Sequence, residues 1–130
     1  MFSRESVSIS LTCASLHQTK LLAADIRNAY LQAPTSENHY IICGIELGLE
    51  NVGKRALIVR ALYARKVAGH DFWHHLRSCM EFLGFKSKVG DPDVWMLPAT
   101  QNDVTLVYAY VLLYTDYCFV VSENAESILK

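Results

Sequence analysis

The chain has 130 residues, room for one ordinary domain but not two. Apolar residues make up 52% and charged residues 19%, a composition that excludes intrinsic disorder and permits a sizeable core. The formal net charge of −1 lacks the basic excess of a free-standing nucleic-acid binder.

The first periodic segment, Ser6 to Cys13, alternates apolar and hydroxyl residues with period two, which by pattern reads as a half-buried strand. Lys20 to Ala24 is a short apolar run ending at Asp25, the pattern of a buried strand. The segment Asp25 to Leu31 follows, and Pro34 closes it. His39 to Cys43 is a further strand, broken by Gly44, and Gly48 to Lys54 is a polar loop. Ala56 to Leu62 is a third apolar run. Lys66 to Leu83 is the clearest helix: Phe72, Leu76, Cys79 and Leu83 form one stripe, and Gly84 stands where a C-terminal cap belongs. Asp91-Pro92-Asp93 predicts a turn and Val94 to Leu97 a short strand. Val104 to Leu113 and Cys118 to Val121, separated by Tyr114 to Tyr117, predict a β-hairpin. Glu123 to Lys130 begins a last helix. Antiparallel strands with helices on one face give an α+β class.

Cys13, Cys43, Cys79 and Cys118 are spaced by 30, 36 and 39 positions, unlike a metal knuckle or a disulfide frame. They read as free, mostly buried thiols in a reducing compartment, with no secretory leader and no spanning segment, so the expected location is cytoplasmic or nuclear. His70 and His74 lie four apart on the best helix, a spacing that can hold zinc. The glutamate of a HExxH hydrolase motif is absent, since Asp71, Phe72 and Trp73 lie between them.

Two acids stand at expected strand ends. Asp25 closes an apolar strand, and Asp116 sits at the predicted hairpin tip. Singly, each has an ordinary explanation in turn chemistry. If the two strands are neighbours, their carboxylates converge, and magnesium takes one or two carboxylates together with phosphate and water oxygens.

The segment Ala24-Asp25-Ile26-Arg27-Asn28-Ala29-Tyr30-Leu31 resembles the first palm motif, D-V-K-N-A-F-L, of the copia-type retrotransposon reverse transcriptases. Ala61-Leu62-Tyr63-Ala64-Arg65-Lys66 is similar to the L-Y-G-L-K-Q block of that family, and Trp73 takes its tryptophan position. Gly84-Phe85 and Asp91-Pro92 resemble its G-F and D-P landmarks, and Tyr114-Thr115-Asp116-Tyr117 stands where it has Y-V-D-D. The landmarks run in family order over nearly the whole chain.

The resemblance implies a partial palm domain over residues 1–130 and RNA-directed DNA synthesis in the ancestor. In that chemistry a primer 3′-hydroxyl attacks the α-phosphorus of a deoxynucleotide beside two Mg2+ ions. It implies Asp25 and Asp116 as metal ligands and catalytic acids, and the Ile26 carbonyl as a further oxygen ligand. Tyr30 would be the ring beneath the incoming sugar, and Lys66 a contact to phosphate or template. RNA or DNA template-primer and deoxynucleotides would be the partners, with no membrane. The family's fingers, thumb-like and ribonuclease H segments are not found here, so missing segments would have to act in trans and apolar sheet surface would be exposed.

Three departures bear on activity. Tyr117 replaces the third acid, and a phenol with an ordinary pKa of about 10 supplies no negative charge at neutral pH. Ala64 replaces a glycine, and Val67 replaces a glutamine. The expectation is severe loss of polymerase activity, with a non-catalytic remnant or interaction module as the alternative. The resemblance also makes Ser6 to His17 helical, against its alternation.

Overall fold

A computed structural model describes residues 2–101 and 105–130. The fold is α+β: a five-stranded antiparallel sheet, a separate two-stranded antiparallel pair, and four helices. The chain divides into two compact units. Residues 1–27 and 78–130 make the first, and the inserted segment 28–77 makes the second.

The first unit opens with α1 (Arg4–Leu16), so the alternating segment is a helix and not a strand. Its hydroxyls explain how the pattern misleads. Ser3 caps the helix by accepting from the Ser6 N–H at 3.0 Å. The Ser8, Ser10 and Thr12 hydroxyls each donate to the carbonyl four residues back, at 3.2, 2.7 and 2.9 Å. A small polar side chain satisfied on its own helix carries little information about which face is buried.

Strand β1 (Lys20–Asp25) is an edge strand of the main sheet, and β7 (Tyr117–Ser122) lies between it and β6 (Thr105–Tyr114). Next come β5 (Val94–Gln101) and a two-residue strand β4 (Lys86–Ser87) at the far edge. Every neighbouring pair is antiparallel. The expected hairpin is therefore present, although its anticipated first residue, Val104, lies outside the described residues. Strand β5 runs four residues longer than anticipated, and β4 has no counterpart in the sequence reading.

Register sorts the sheet into two faces. Tyr110, Leu112 and Tyr114 share one with their cross-strand partners Val121, Phe119 and Tyr117. Val111 and Leu113 share the other with Val120 and Cys118. Trp95, Leu112 and Val120 are the largest fully buried side chains, so the central strands are covered on both sides. Helices α1 and α4 (Ala125–Ile128) both meet β1 and β7.

In the second unit, β2 (Pro34–Ile42) pairs with β3 (Arg55–Arg60) through an irregular register between Pro34 and His39. A one-turn helix α2 (Ala29–Gln32) precedes them. Helix α3 (Ala68–Phe82) begins in this unit and ends in the other. Its terminus is a Schellman arrangement: the Phe85 N–H donates to the Met80 carbonyl and the Gly84 N–H to the Glu81 carbonyl, both at 3.0 Å. Gly84 takes φ +87°, as the expected cap requires. The expected stripe holds at Phe72, which is buried, but fails at Leu83, which lies past the helix end and is 62% exposed. Met80 is buried near that end.

Candidate functional site

Asp25 is the last residue of β1, directly opposite Tyr117 at the start of β7. One residue on, the Ile26 N–H donates to the Asp116 carbonyl at 2.7 Å. This bond extends the ladder past the strand and fixes the end of β1 against the hairpin tip. Asp25, Ile26 and Asp116 therefore lie at one rim of one sheet, although 91 positions separate the acids. Asp25 is exposed and Asp116 half-buried.

The tip itself is strained. Tyr114 pairs with Tyr117, which leaves Thr115 and Asp116 as a two-residue turn. Thr115 takes φ +49°, a value that a β-branched residue rarely adopts. Its hydroxyl donates to Asp116 Oδ1 at 2.9 Å, holding the carboxylate close to the turn.

Tyr117 stands in a cross-strand row with Asp25 on one side and Tyr114 on the other. A directly opposed pair has Cβ atoms about 4.5–5.5 Å apart, so a second carboxylate at position 117 would face Asp25 at like-charge range. The phenol avoids that repulsion and leaves two carboxylates at the rim. Two suit a single magnesium ion that keeps several waters, and the donor set falls short of what a two-ion site draws from three acids. Among the described residues no group of three or more His, Cys, Asp or Glu side chains is placed to hold a metal. Phe2 packs on both Tyr114 and Phe119, with ring centroids 5.6 and 5.8 Å away, so the segment leading into α1 touches the tyrosine end of the row, although Tyr114 stays 42% exposed.

Tyr30 and Lys66 belong to the second unit. Tyr30 is half-buried in an aromatic cluster, stacked on Tyr63 with centroids 4.5 Å apart and tilted against Phe72 at 5.5 Å. Lys66 is exposed just ahead of α3. Nearby Ala64 adopts φ +68°, the left-handed conformation that glycine takes freely. The sequence marked Ala64 as standing where the resembled family has glycine, and the constraint at this position is on its backbone.

All four cysteines are free. Cys118 is buried beneath the rim with its thiol directed at the Ala24 carbonyl, 3.6 Å away. Burial, and secondarily the charge of Asp25, push that thiol above its ordinary pKa, while the Ala24 contact acts in the other direction. It is protonated and inert at neutral pH.

A cavity of about 270 Å³ opens elsewhere in the first unit, lined by Ile9, Ser10 and Cys13 of α1 and by Lys88, Val94 and Tyr110. None of the candidate residues lines it. Burial and the neighbouring Cys13 and Tyr108 hold the Tyr110 hydroxyl above its usual pKa, and the Lys88 ammonium sits 5.2 Å from the ring centroid.

No helix among the described residues is long and apolar enough to cross a membrane. Compared with known protein families, curated proteins and solved structures, the chain shows no significant match to any of them.

Proposed function

We propose that this chain is a palm region of the copia-type reverse transcriptase kind, descended from an RNA-directed DNA polymerase. The observation that carries the reading is the rim contact. A strand ending in Asp25 is hydrogen-bonded beside a hairpin whose tip is Asp116, with the Ile26 N–H on the Asp116 carbonyl. Helices α1 and α4 meeting β1 and β7 support the palm-like layering of the sheet.

In this reading Asp25 and Asp116 hold one Mg2+ ion, which when bound neutralises developing charge on a transferring phosphoryl group. Asp116 is oriented for that role by Thr115, and Asp25 by the last pairing of β1 with β7. Tyr30 and Lys66 would serve the sugar and phosphate of a deoxynucleotide, and template-primer would be the macromolecular partner. Tyr117 takes the place of an acid, so nucleotidyl transfer is severely impaired.

A second reading, a non-catalytic remnant or interaction module, is favoured by Phe2 packing against Tyr114 and so occupying part of the face that carries Asp25. A primer end needs that face open.

Restoring the acid tests the assignment. Tyr117→Asp puts a carboxylate opposite Asp25, so its Tm falls in chelator and recovers with Mg2+, and Asp25→Asn abolishes the recovery. A Tm for Tyr117→Asp indifferent to Mg2+ overturns the metal-site assignment. Primer extension on an RNA template separates the two readings. Synthesis by the unsubstituted chain that disappears in Asp116→Asn removes the remnant reading.

A further inference from the structure

The first turns of α3 carry a feature that the rim chemistry does not use. His70 and His74, one helical turn apart and both exposed, bring their Nε2 atoms within 3.0 Å of each other. Their rings meet edge to face with centroids 4.3 Å apart. Two nitrogens bound to one metal at about 2.0–2.1 Å lie roughly 2.8–3.4 Å apart when the angle between them is about 90–110°. The spacing already present is therefore that of two neighbouring ligands on one ion.

A second observation concerns the far side of His70. Its Nδ1 lies 3.7 Å from Asp71 Oδ1, and Asp71 is buried. The other carboxylate oxygen of Asp71 accepts the Ser36 N–H at 3.0 Å, which fixes the carboxylate in place. A carboxylate facing Nδ1 favours the tautomer with the proton there and leaves Nε2 with a bare lone pair. In metal-bound histidines a carboxylate commonly accepts from the ring nitrogen opposite the metal. Here Asp71 stands 3.7 Å from Nδ1, and its charge, not a direct hydrogen bond, favours that tautomer. All four residues lie within the second unit.

We propose that His70 and His74 form a binding site for a divalent transition-metal ion, Zn2+ being the probe, with Asp71 as the positioning residue. Without metal, His74 Nε2–H donates to His70 Nε2. On binding, the His74 proton transfers through solvent to its own Nδ1, so both neutral rings present Nε2 to the ion. Two protein ligands leave the remaining positions to water. The site is separate from the acidic rim and does not depend on the polymerase reading, because imidazole suits zinc whereas magnesium prefers oxygen.

The test is a zinc titration of the full chain against a chromophoric chelator under reducing conditions, with far-UV circular dichroism as a check on folding. The expected result is one Zn2+ per chain, with affinity at least about tenfold lower in His74→Ala and in His70→Gln, and unchanged in Cys79→Ser. Asp71→Asn lowers affinity by about 10–100-fold. It also shifts the His70 ring 15N resonances away from the Nδ1–H tautomer, which a merely structural role for Asp71 would not do. Both histidines are exposed, so His70→Gln keeps the test valid should His74→Ala misfold. Zinc binding that survives both histidine substitutions, or that disappears only in Cys79→Ser, overturns the proposal. So does an unsubstituted chain that does not compete with the chelator, the contact then being a hydrogen bond between neutral rings.

Discussion

Ala64 holds a left-handed φ of +68° that costs an L-residue about 1–2 kcal/mol, and glycine there would lose about 0.5–1 kcal/mol through its freer unfolded chain. Ala64→Gly therefore stabilises by roughly 0.5–1 kcal/mol, read as a higher urea midpoint at unchanged slope. An unchanged or lower midpoint would show that the strain is absorbed by its neighbours. Asp91 makes a second residue-level case. Partial burial opposes its ionisation. The Ser3 N–H at 2.8 Å, the Ser6 hydroxyl at 2.5 Å and the Asp93 N–H at 3.4 Å outweigh that burial and hold its pKa below the ordinary 3.8. The folded-state value lies below the unfolded one, so the stabilisation is complete above the unfolded pKa and is lost as pH falls through the folded value. In urea melts the gap between the unsubstituted chain and Asp91→Asn is widest above about pH 5 and narrows below about pH 4. Neither effect is visible in sequence alone. A positive φ and a carboxylate tied to a helix start 88 positions away are properties of the folded backbone.

Among the elements, the most legible were those whose period and punctuation agree. Helix α3 has an apolar stripe and a terminal glycine, and the β6–β7 hairpin has two β-branched and aromatic runs around a short break. Gly84 tests the first of these. A methyl group added there would sit 3.6 Å from Leu97 Cδ1, an ordinary contact, so only the backbone resists it. Gly84→Ala should cost about 1 kcal/mol and shift thermal unfolding down by a few degrees. Helix α1 was misread by alternation because its hydroxyls bond along their own helix. Strand β4 was invisible because two residues carry no period. For the candidate site, the acids were legible as residue types at strand ends. What joins them is the register of β1 against β7 and the Ile26–Asp116 bond, which are long-range facts. Likewise, the spacing of His70 and His74 was plain, but the carboxylate behind His70 was not.

Over the whole molecule, the two units differ in how they are held. The first has five paired strands with a centre buried on both sides. The second rests on a single antiparallel pair, and two strands alone are marginally stable in water. Ile42 is 66% exposed and Val59 63% exposed on that pair. Backbone amides of β2 and β3 should exchange with deuterium at least about tenfold faster than those of β6 and β7, corresponding to a local opening easier by 1.4 kcal/mol or more. Equal protection in the two segments would mean that the chain opens as one cooperative body.

The pairing of β1 with β7 joins residues 20–25 to residues 117–122. A nascent polypeptide leaving the ribosome must carry its first strand unmatched until residues 117–122 have been made. Loop closure over so long a span is slow, and the waiting edge is open to wrong neighbours in the meantime. A translation product stopped anywhere before residue 117 would keep the early aspartate and never assemble the place where it meets the later one.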